Sequence, residues 1–195
     1  RLGANSLLET IVFGKITGKE MVRYVQEEGK GDTQCDQEDV ATIQREVADI
    51  KARDKKGGVR PADLRDKLTQ GMQQYVGVFR NEELLKEGLK IVREVRKDFE
   101  KVYIDDKSDE FNTDLLTTME LGNLIDLAEG TVLCALERKE SRGAHAREEY
   151  PDRDDENWMK HSLATWNHNR GGVEIDYEAV RTTGNTRYEP KERKY

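Results

Sequence analysis

The chain carries three histidines, the side chain most often found as a metal ligand, at positions 145, 161 and 168. Their spacings fit none of the standard patterns of metal ligands. The acidic residues around them are better explained as ion-pair partners of Arg142, Arg147 and Arg153, which lie in the same segment. The sequence therefore predicts no metal site.

Other motifs with well-understood chemistry are missing from the sequence. It contains no nucleophile elbow, no phosphate-cradling loop and no GxGxxG motif, and GKGD at residues 29–32 lacks the third glycine and a preceding strand. Cys35 and Cys134 show no CxxC spacing, so neither a zinc site nor a disulfide framework is indicated. Cys134 falls in an apolar helical stripe and is expected to be a small buried hydrophobe.

The start of the first predicted helix is a candidate anion site. Asn5, Ser6 and Leu7 stand at the beginning of an apolar run. The first N–H groups of a helix have no partner within it and carry a partial positive charge, so they can stabilise a bound negative charge. Ordinary capping of the helix by Asn5 or Ser6 explains the same residues equally well.

Composition excludes several classes of protein. Charged residues make up 37% of the 195 residues and only 3 are proline, which favours a helix-rich protein over an all-β one. The net charge of -7 is spread along the chain, and the basic cluster at residues 51–56 has the pattern of a solvated helix end, so nucleic-acid binding gains no support. No window approaches the roughly 18 apolar residues of a membrane-spanning helix, so any membrane association must go through partners.

The first helix is apolar on every side. Its apolar residues point nearly all round the helix axis, and they are Leu7, Leu8, Ile11, Val12, Phe13 and Ile16. Such a helix is typically buried on every side. Since nothing later in the chain supplies that much cover, we expect that its packing partner is missing, and that the exposed helix either self-associates or repacks.

Four further helical segments follow, each with one apolar stripe and one charged face. Asp36, Pro61, Asn81, and Asn112 or Thr113 mark their predicted starts. The second of the four is predicted to run through Phe79. The stripes are Val40, Ile43, Val47 and Ile50; Leu64, Leu68, Tyr75 and Phe79; Leu85, Leu89, Val92, Val95 and Phe99; and Leu121, Leu124, Ile125, Ala128, Val132 and Leu136.

This pattern predicts a mainly α protein built on an antiparallel, spectrin-repeat-like helical bundle. Beyond Glu140 the helical periodicity stops, and residues 140–163 follow neither a helical nor a strand period. Residues 140–195 are expected to form an irregular tail with one small strand or hairpin that includes residues 177–180 and turns at Gly171 and Gly172.

Several blocks of the sequence resemble a known family. They are RLGANSLLETIVFG at residues 1–14, FNT at 111–113, ESRGAHAREEYPDRDDENWMKHSL at 140–163 and PKERKY at 190–195. Together they resemble the C-terminal third of the flavoprotein subunit of succinate dehydrogenase and fumarate reductase. The resemblance implies a remnant of the FAD-binding domain at residues 1–30, a bundle of three long helices within residues 31–139, and a tail at residues 140–195.

The resemblance also implies roles for residues near the N-terminus. Arg1 matches the arginine that grips one carboxylate of succinate or fumarate, and a guanidinium suits this because its planar donors bind a carboxylate at two points. Ser6 and Leu7 match positions whose backbone meets the pyrimidine edge of the FAD ring system. No catalytic residue is assigned within this chain.

For the parent protein the resemblance implies hydride transfer between succinate and FAD, with electrons passing to an iron–sulfur subunit and then to quinone through membrane anchor subunits. The family's glycine motif, covalent FAD histidine, capping domain and proton-shuttling arginine all precede the equivalent of Arg1. We therefore expect a fragment that is soluble and inactive, retains no FAD by itself, and depends on the FAD-binding and capping domains. Its location would be peripheral, on the inner or cytoplasmic membrane.

Two alternatives remain open. L-aspartate oxidase shares similar NSLLE and ESRG blocks, although PDRDDENWMKHSL at residues 151–163 looks more like succinate dehydrogenase. The chain could also serve as a non-catalytic helical interaction module. Within the leading interpretation, our hypothesis is that residues 140–163 form a salt-bridged belt that ties the tail onto the flavin domain, so that Asp154→Ala or Arg153→Ala lowers thermal stability.

Overall fold

The computed structural model describes residues 5–29, 36–167 and 171–180, with the side chains of residues 5 and 6 left out. The chain divides into two compact units, residues 1–52 and residues 53–195. This division groups the helix that follows Asp36 with the first helix, whereas the predicted boundary between residues 30 and 31 separates them. The domain boundaries of the intact protein stay a prediction.

The first unit contains α1 (Asn5–Glu27) and α2 (Gln37–Ala52). The apolar side chains of α1 are exposed in this structure, and they are Leu7, Leu8, Ile11, Val12, Phe13, Ile16, Met21, Val22, Tyr24 and Val25. Asp36 caps α2 as predicted, since its Oδ1 accepts a hydrogen bond from the Glu38 N–H at 2.8 Å. Of the predicted α2 stripe only Ile50 is buried, and Ile43 is exposed.

The second unit is built on three antiparallel helices, α3 (Pro61–Tyr75), α4 (Glu82–Phe99) and α5 (Thr113–Glu137). The predicted starts are confirmed. Pro61 begins α3, and the side chains of Asn81 and Asn112 accept hydrogen bonds from the N–H groups of Leu84 at 2.9 Å and Leu115 at 2.8 Å. The predicted mainly α bundle is therefore confirmed, with three of the four predicted segments forming it.

Most of the core of the bundle comes from the predicted stripes, but Val76, Val102 and Ala135 lie outside them, and Leu124 of the predicted α5 stripe is exposed. The buried members of the core are Leu64, Leu68, Val76, Leu85, Val92, Val95, Val102, Leu121, Ile125, Ala128, Val132 and Ala135. Two glycines allow α3 and α4 to approach closely. A Cβ on Gly71 would lie 2.7 Å from Ile91 Cγ2, and one on Gly88 would lie 2.7 Å from Val76 Cγ2. Neither helix can therefore carry a side chain at these points without local displacement.

The prediction that the α3 helix runs through Phe79 is wrong. The helix ends at Tyr75, and Phe79 lies with Arg80 in the short strand β1 (Phe79–Arg80), where its side chain is exposed. Residues 76–78 turn the chain out of the helix, and the Arg80 guanidinium fixes the turn by donating from Nε to the Gly77 carbonyl at 2.7 Å. Strand β1 then pairs in parallel with β2 (Ala146–Arg147).

The tail is more regular than predicted. After α6 (Asp155–Trp158) the chain forms an antiparallel hairpin of β3 (Lys160–Asn167) and β4 (Gly172–Ala179). The predicted hairpin is thus present, but residues 160–163 belong to a strand, against the prediction that no strand period occurs there. The strand was hidden because most of its side chains are polar or half-exposed, so little hydrophobic alternation is visible. None of the described helices is long and apolar enough to cross a bilayer.

Candidate functional site

The predicted substrate and cofactor residues lie at or before the start of α1. Arg1 falls outside the described residues. Ser6 and Leu7 lie in the first turn of α1, with the Leu7 side chain 75% exposed. No acidic side chain occupies this first turn, so the partial positive charge of its N–H groups is not offset locally. The helix start is accordingly able to accept a negatively charged group.

A second candidate site is centred on Glu140, just after the end of α5. Its side chain is fully buried. Oε1 accepts hydrogen bonds from Arg138 at 2.6 Å and from Arg142 Nε at 2.8 Å. Oε2 accepts from Arg142 Nη2 at 3.0 Å and from the backbone N–H of Asp154 at 2.9 Å. Both oxygens of this carboxylate are therefore satisfied by charged or backbone donors.

The electrostatics of Glu140 follow from these contacts. Burial acts to raise the pKa of its carboxyl group, but the hydrogen bonds from Arg142, the Asp154 N–H and Arg138 outweigh it, so the pKa is lowered overall. The charged form is thus retained in the folded protein. Removing either side of the cluster would leave buried charges without partners, which is far more costly than the intact pairing.

Two of these arginines extend the cluster along the tail. Arg142 Nη2 also bonds Asp155 at 2.7 Å, and Asp155 in turn pairs with Arg153 at 2.7 Å. Arg138 donates to the carbonyls of Trp158 at 3.1 Å and Lys160 at 2.6 Å. The cluster therefore joins the end of α5 to α6 and to the start of the hairpin.

Arg147 ties the tail to the C-terminus of α5. Its side chain is buried, and Nη1 donates to the carbonyls of Ala135 at 2.9 Å and Leu136 at 3.0 Å. These carbonyls belong to the last turn of a helix, which lacks intrahelical donors and carries a partial negative charge. Arg147 Nε also contacts Glu149 at 3.2 Å. One guanidinium thus caps α5 and fixes the strand β2.

His145 is held between α5 and β1. Arg80 Nη1 lies 2.8 Å from His145 Nδ1, and His145 Nε2 lies 3.2 Å from the Arg138 carbonyl oxygen. Since the guanidinium can only donate, Nδ1 accepts and the proton of a neutral ring sits on Nε2. Burial lowers the pKa of His145, and Arg80, Arg147 and Arg138 lower it further by repulsion. The half-buried His145 is thus a neutral structural residue here.

Part of this arrangement is predictable from the sequence. The acids near Arg142, Arg147 and Arg153 are their ion-pair partners, as predicted. The central position of Glu140 and Arg138 was not predicted. The sequence does carry a signal for this centre, the run RKESR at residues 138–142. In it an acid lies just beyond the end of a helix, with an arginine two residues before it and another two residues after it. Cys134, expected to be buried, is only half-buried, and burial raises the pKa of its thiol.

Comparison with known proteins gives the class of protein that this fold and site define. A family model described as fumarate reductase flavoprotein C-term matches residues 65–195. The chain is 40% identical over 183 residues to the succinate dehydrogenase flavoprotein subunit of Rickettsia conorii, and 36% identical over 185 residues to the fumarate reductase flavoprotein subunit of Escherichia coli. Each match covers 94% of this chain and 30% of the relative.

A solved structure agrees with the sequence relatives. The FrdA chain of a variant Escherichia coli quinol fumarate reductase superposes with a TM-score of 0.84 at 34% identity, covering 97% of this chain and 32% of that one. The three-helix bundle with its charged tail is therefore the C-terminal domain of a flavoprotein. The chain belongs to the succinate dehydrogenase and fumarate reductase flavoprotein family, and it spans about a third of the length of the relatives it matches.

Proposed function

We propose that this chain is the C-terminal part of a flavoprotein subunit that interconverts succinate and fumarate. The proposal rests on the sequence and the exposed apolar surface of α1. Helix α1 begins within the RLGANSLLETIVFG block, has no acid in its first turn, and exposes apolar faces that a further domain could cover. The family relationship supports the same assignment.

In this proposal Arg1 binds one carboxylate of the dicarboxylate. Its guanidinium stays charged at any working pH and can donate two parallel hydrogen bonds, which fixes the orientation of the substrate as well as its position. The rest of the active site is supplied by the other two thirds of the subunit. The chain alone is accordingly proposed to be inactive and to hold no FAD.

The residues present fit the edge of a flavin. The backbone N–H groups of Ser6 and Leu7 lie in the first turn of α1, where they offer hydrogen bonds and a partial positive charge to an anionic edge. When bound, FAD supplies the hydride chemistry, and the protein binds, orients and supplies charge. An iron–sulfur subunit is proposed to take the electrons, with membrane anchor subunits reached through it.

The cluster around Glu140 has a positioning role in this proposal. It holds residues 140–163 in one conformation through buried ion pairs, and an ordered segment of this kind can dock onto the flavin domain without a further loss of conformational entropy. The salt-bridged belt of the sequence analysis is thus retained as a proposal, with its anchor at Glu140 and its docking face towards the rest of the subunit.

The role of Arg1 is tested in the intact subunit. Arg1→Gln should lower kcat/KM for succinate by about a hundredfold or more, because the substrate carboxylate loses a charged two-point partner. Arg23→Gln is the matched control, since Arg23 is an exposed residue of α1 whose ion pairs among the described residues are with Glu20 and Glu27. Equal activity of the two variants would contradict the assignment of Arg1.

A further inference from the structure

A cavity of about 790 Å³ lies between α5 and the β3–β4 hairpin. This volume is within the range of pockets that bind small ligands. Its wall is largely apolar and includes Cys134, Ala135, Ala164 and Val173. Strand β3 crosses α5 closely at Gly130, where an added Cβ would lie 3.3 Å from Ala164 Cβ. The described residues that line the cavity all belong to the second unit.

The charged side chains that line this cavity are mostly basic. They are Arg80, Arg138, Arg142, Lys160 and the acid Asp126, together with the imidazoles of His145 and His161. Arg138 pairs with Glu140, Arg142 pairs with Glu140 and Asp155, and Asp126 is paired with Arg96 at 2.7 Å. Within the described part of the chain, Arg80 and Lys160 form no ion pair. The described lining of the cavity therefore carries a net positive charge.

Arg80 is held in place without a counter-charge. It donates from Nε to the Gly77 carbonyl at 2.7 Å, and Nη1 contacts His145 at 2.8 Å. Burial lowers the pKa of Arg80, and the nearby charge of Arg147 lowers it further. Its positive charge is thus disfavoured by the surroundings, so an anion bound there would relieve an existing cost.

Lys160 is fixed by aromatic rings. Its Nζ lies 4.5 Å from the Trp158 ring centroid and 4.2 Å from that of Tyr177. Such cation–π contacts hold an ammonium group while leaving its N–H donors able to bind an acceptor. The cavity thus offers two immobilised cations beside an apolar wall, which is a preorganised arrangement for an amphipathic anion.

We propose that this cavity binds a carboxylate carried on an apolar body, with the carboxylate at the Arg80 guanidinium and the apolar part against the tryptophan-lined wall. This proposal does not rest on the dicarboxylate binding proposed for Arg1. The same chemistry can come from a free aliphatic acid or from an acidic side chain flanked by apolar residues on another polypeptide.

Tryptophan fluorescence reports directly on this site. The chain has 2 tryptophans, Trp158 and Trp166, and both line the cavity. Titration of the 195-residue chain with hexanoate should give a saturable change in emission, whereas hexanamide, which has the same body without the charge, should give none over the same range. Equal responses to the two probes, or no response to hexanoate, would overturn the proposal.

Arg80→Gln should weaken hexanoate binding about tenfold or more, since a hydrogen bond to a charged group is lost. Arg65→Gln makes the same chemical change at a site that contacts Glu120 outside the cavity, and it should bind as the wild type does. If circular dichroism shows that Arg80→Gln does not fold, the salt dependence of hexanoate binding to the wild type tests the proposal instead. Added sodium chloride should weaken hexanoate binding to the wild type, and an affinity independent of salt contradicts the proposal.

The source of the carboxylate is tested by comparing hexanoate with the blocked tripeptide acetyl-leucyl-glutamyl-leucinamide, using the glutaminyl peptide as its neutral control. Tighter binding of the acidic tripeptide indicates a polypeptide ligand, and tighter binding of hexanoate indicates a free acid. Both outcomes support an anion site. Binding of neither acid in the wild type rejects it.

Discussion

The guanidinium of Arg142 meets the buried carboxylate of Glu140 at two points, with Nε 2.8 Å from Oε1 and Nη2 3.0 Å from Oε2. A single residue lies between them in the chain, so this two-point contact restricts the backbone conformation just after α5. Arg138 and the Asp154 N–H bind the same carboxylate. Ion pairs and hydrogen bonds thereby help to fix a segment that carries little hydrophobic patterning.

Glu140→Gln is expected to lower the free energy of unfolding of the second unit by about 3 kcal/mol, because it leaves the half-buried Arg138 without its ion-pair partner and leaves Arg142 with Asp155 alone. The amide also places a donor where the carboxylate accepted from other donors. Urea unfolding followed by circular dichroism measures the change. Glu94→Gln, at an exposed residue paired with Lys67, should cost less than about 1 kcal/mol. A similar small cost at Glu140 would show that the cluster does not stabilise the fold.

The lowered pKa of His145 predicts a pH dependence of stability. The unfolded chain binds a proton near pH 6.5, the ordinary value for histidine, whereas the folded protein resists protonation until lower pH. Stability should therefore be complete above about pH 6.5 and fall as the pH drops towards the folded pKa. His145→Gln should flatten this part of the curve. Midpoints of urea unfolding between pH 7 and 5.5 measure the effect, and identical curves for wild type and His145→Gln would refute it.

The close approach of α3 and α4 predicts that Gly88→Ala destabilises the bundle. An added Cβ would lie 2.7 Å from Cγ2 of the buried Val76, so the helices must shift, and overpacking of this kind typically costs about 1–3 kcal/mol. The higher helix propensity of alanine offsets up to about 1 kcal/mol of that cost. Lys90→Ala, on the exposed surface of α4, should change stability by less than about 0.5 kcal/mol. A thermal melt in which Gly88→Ala equals or exceeds the wild type would argue against the tight contact.

The helical part of this fold could be predicted because its signals are local. Asn81 and Asn112 are recognisable as caps from their position before an apolar stripe, and Leu85, Val92 and Val95 of the α4 stripe are buried, while Leu89 is partly buried. The end of α3 was missed because Tyr75 and Phe79 are four residues apart, which fits a helix even though Phe79 pairs with Ala146 in a strand. That pairing is set by a contact far along the chain, and periodicity cannot detect it.

The site was predictable only in part for the same reason. The arginines at positions 142 and 153 predicted ion pairs with nearby acids, but the sequence could not show which of those acids is buried. Glu140 is the centre of the ion-pair cluster because the folded tail brings the backbone N–H of Asp154 to its carboxylate. The cavity beside Arg80 was not foreseen at all, since its walls come from β1, α5 and a hairpin whose strands carry little hydrophobic alternation.

We propose that the chain is part of a flavoprotein subunit acting on succinate and fumarate, and the most direct test of this proposal is the substrate of the intact subunit. With an artificial electron acceptor, the intact subunit should oxidise succinate, and it should show no turnover with L-aspartate under the same conditions. Turnover of L-aspartate without any turnover of succinate would contradict the account.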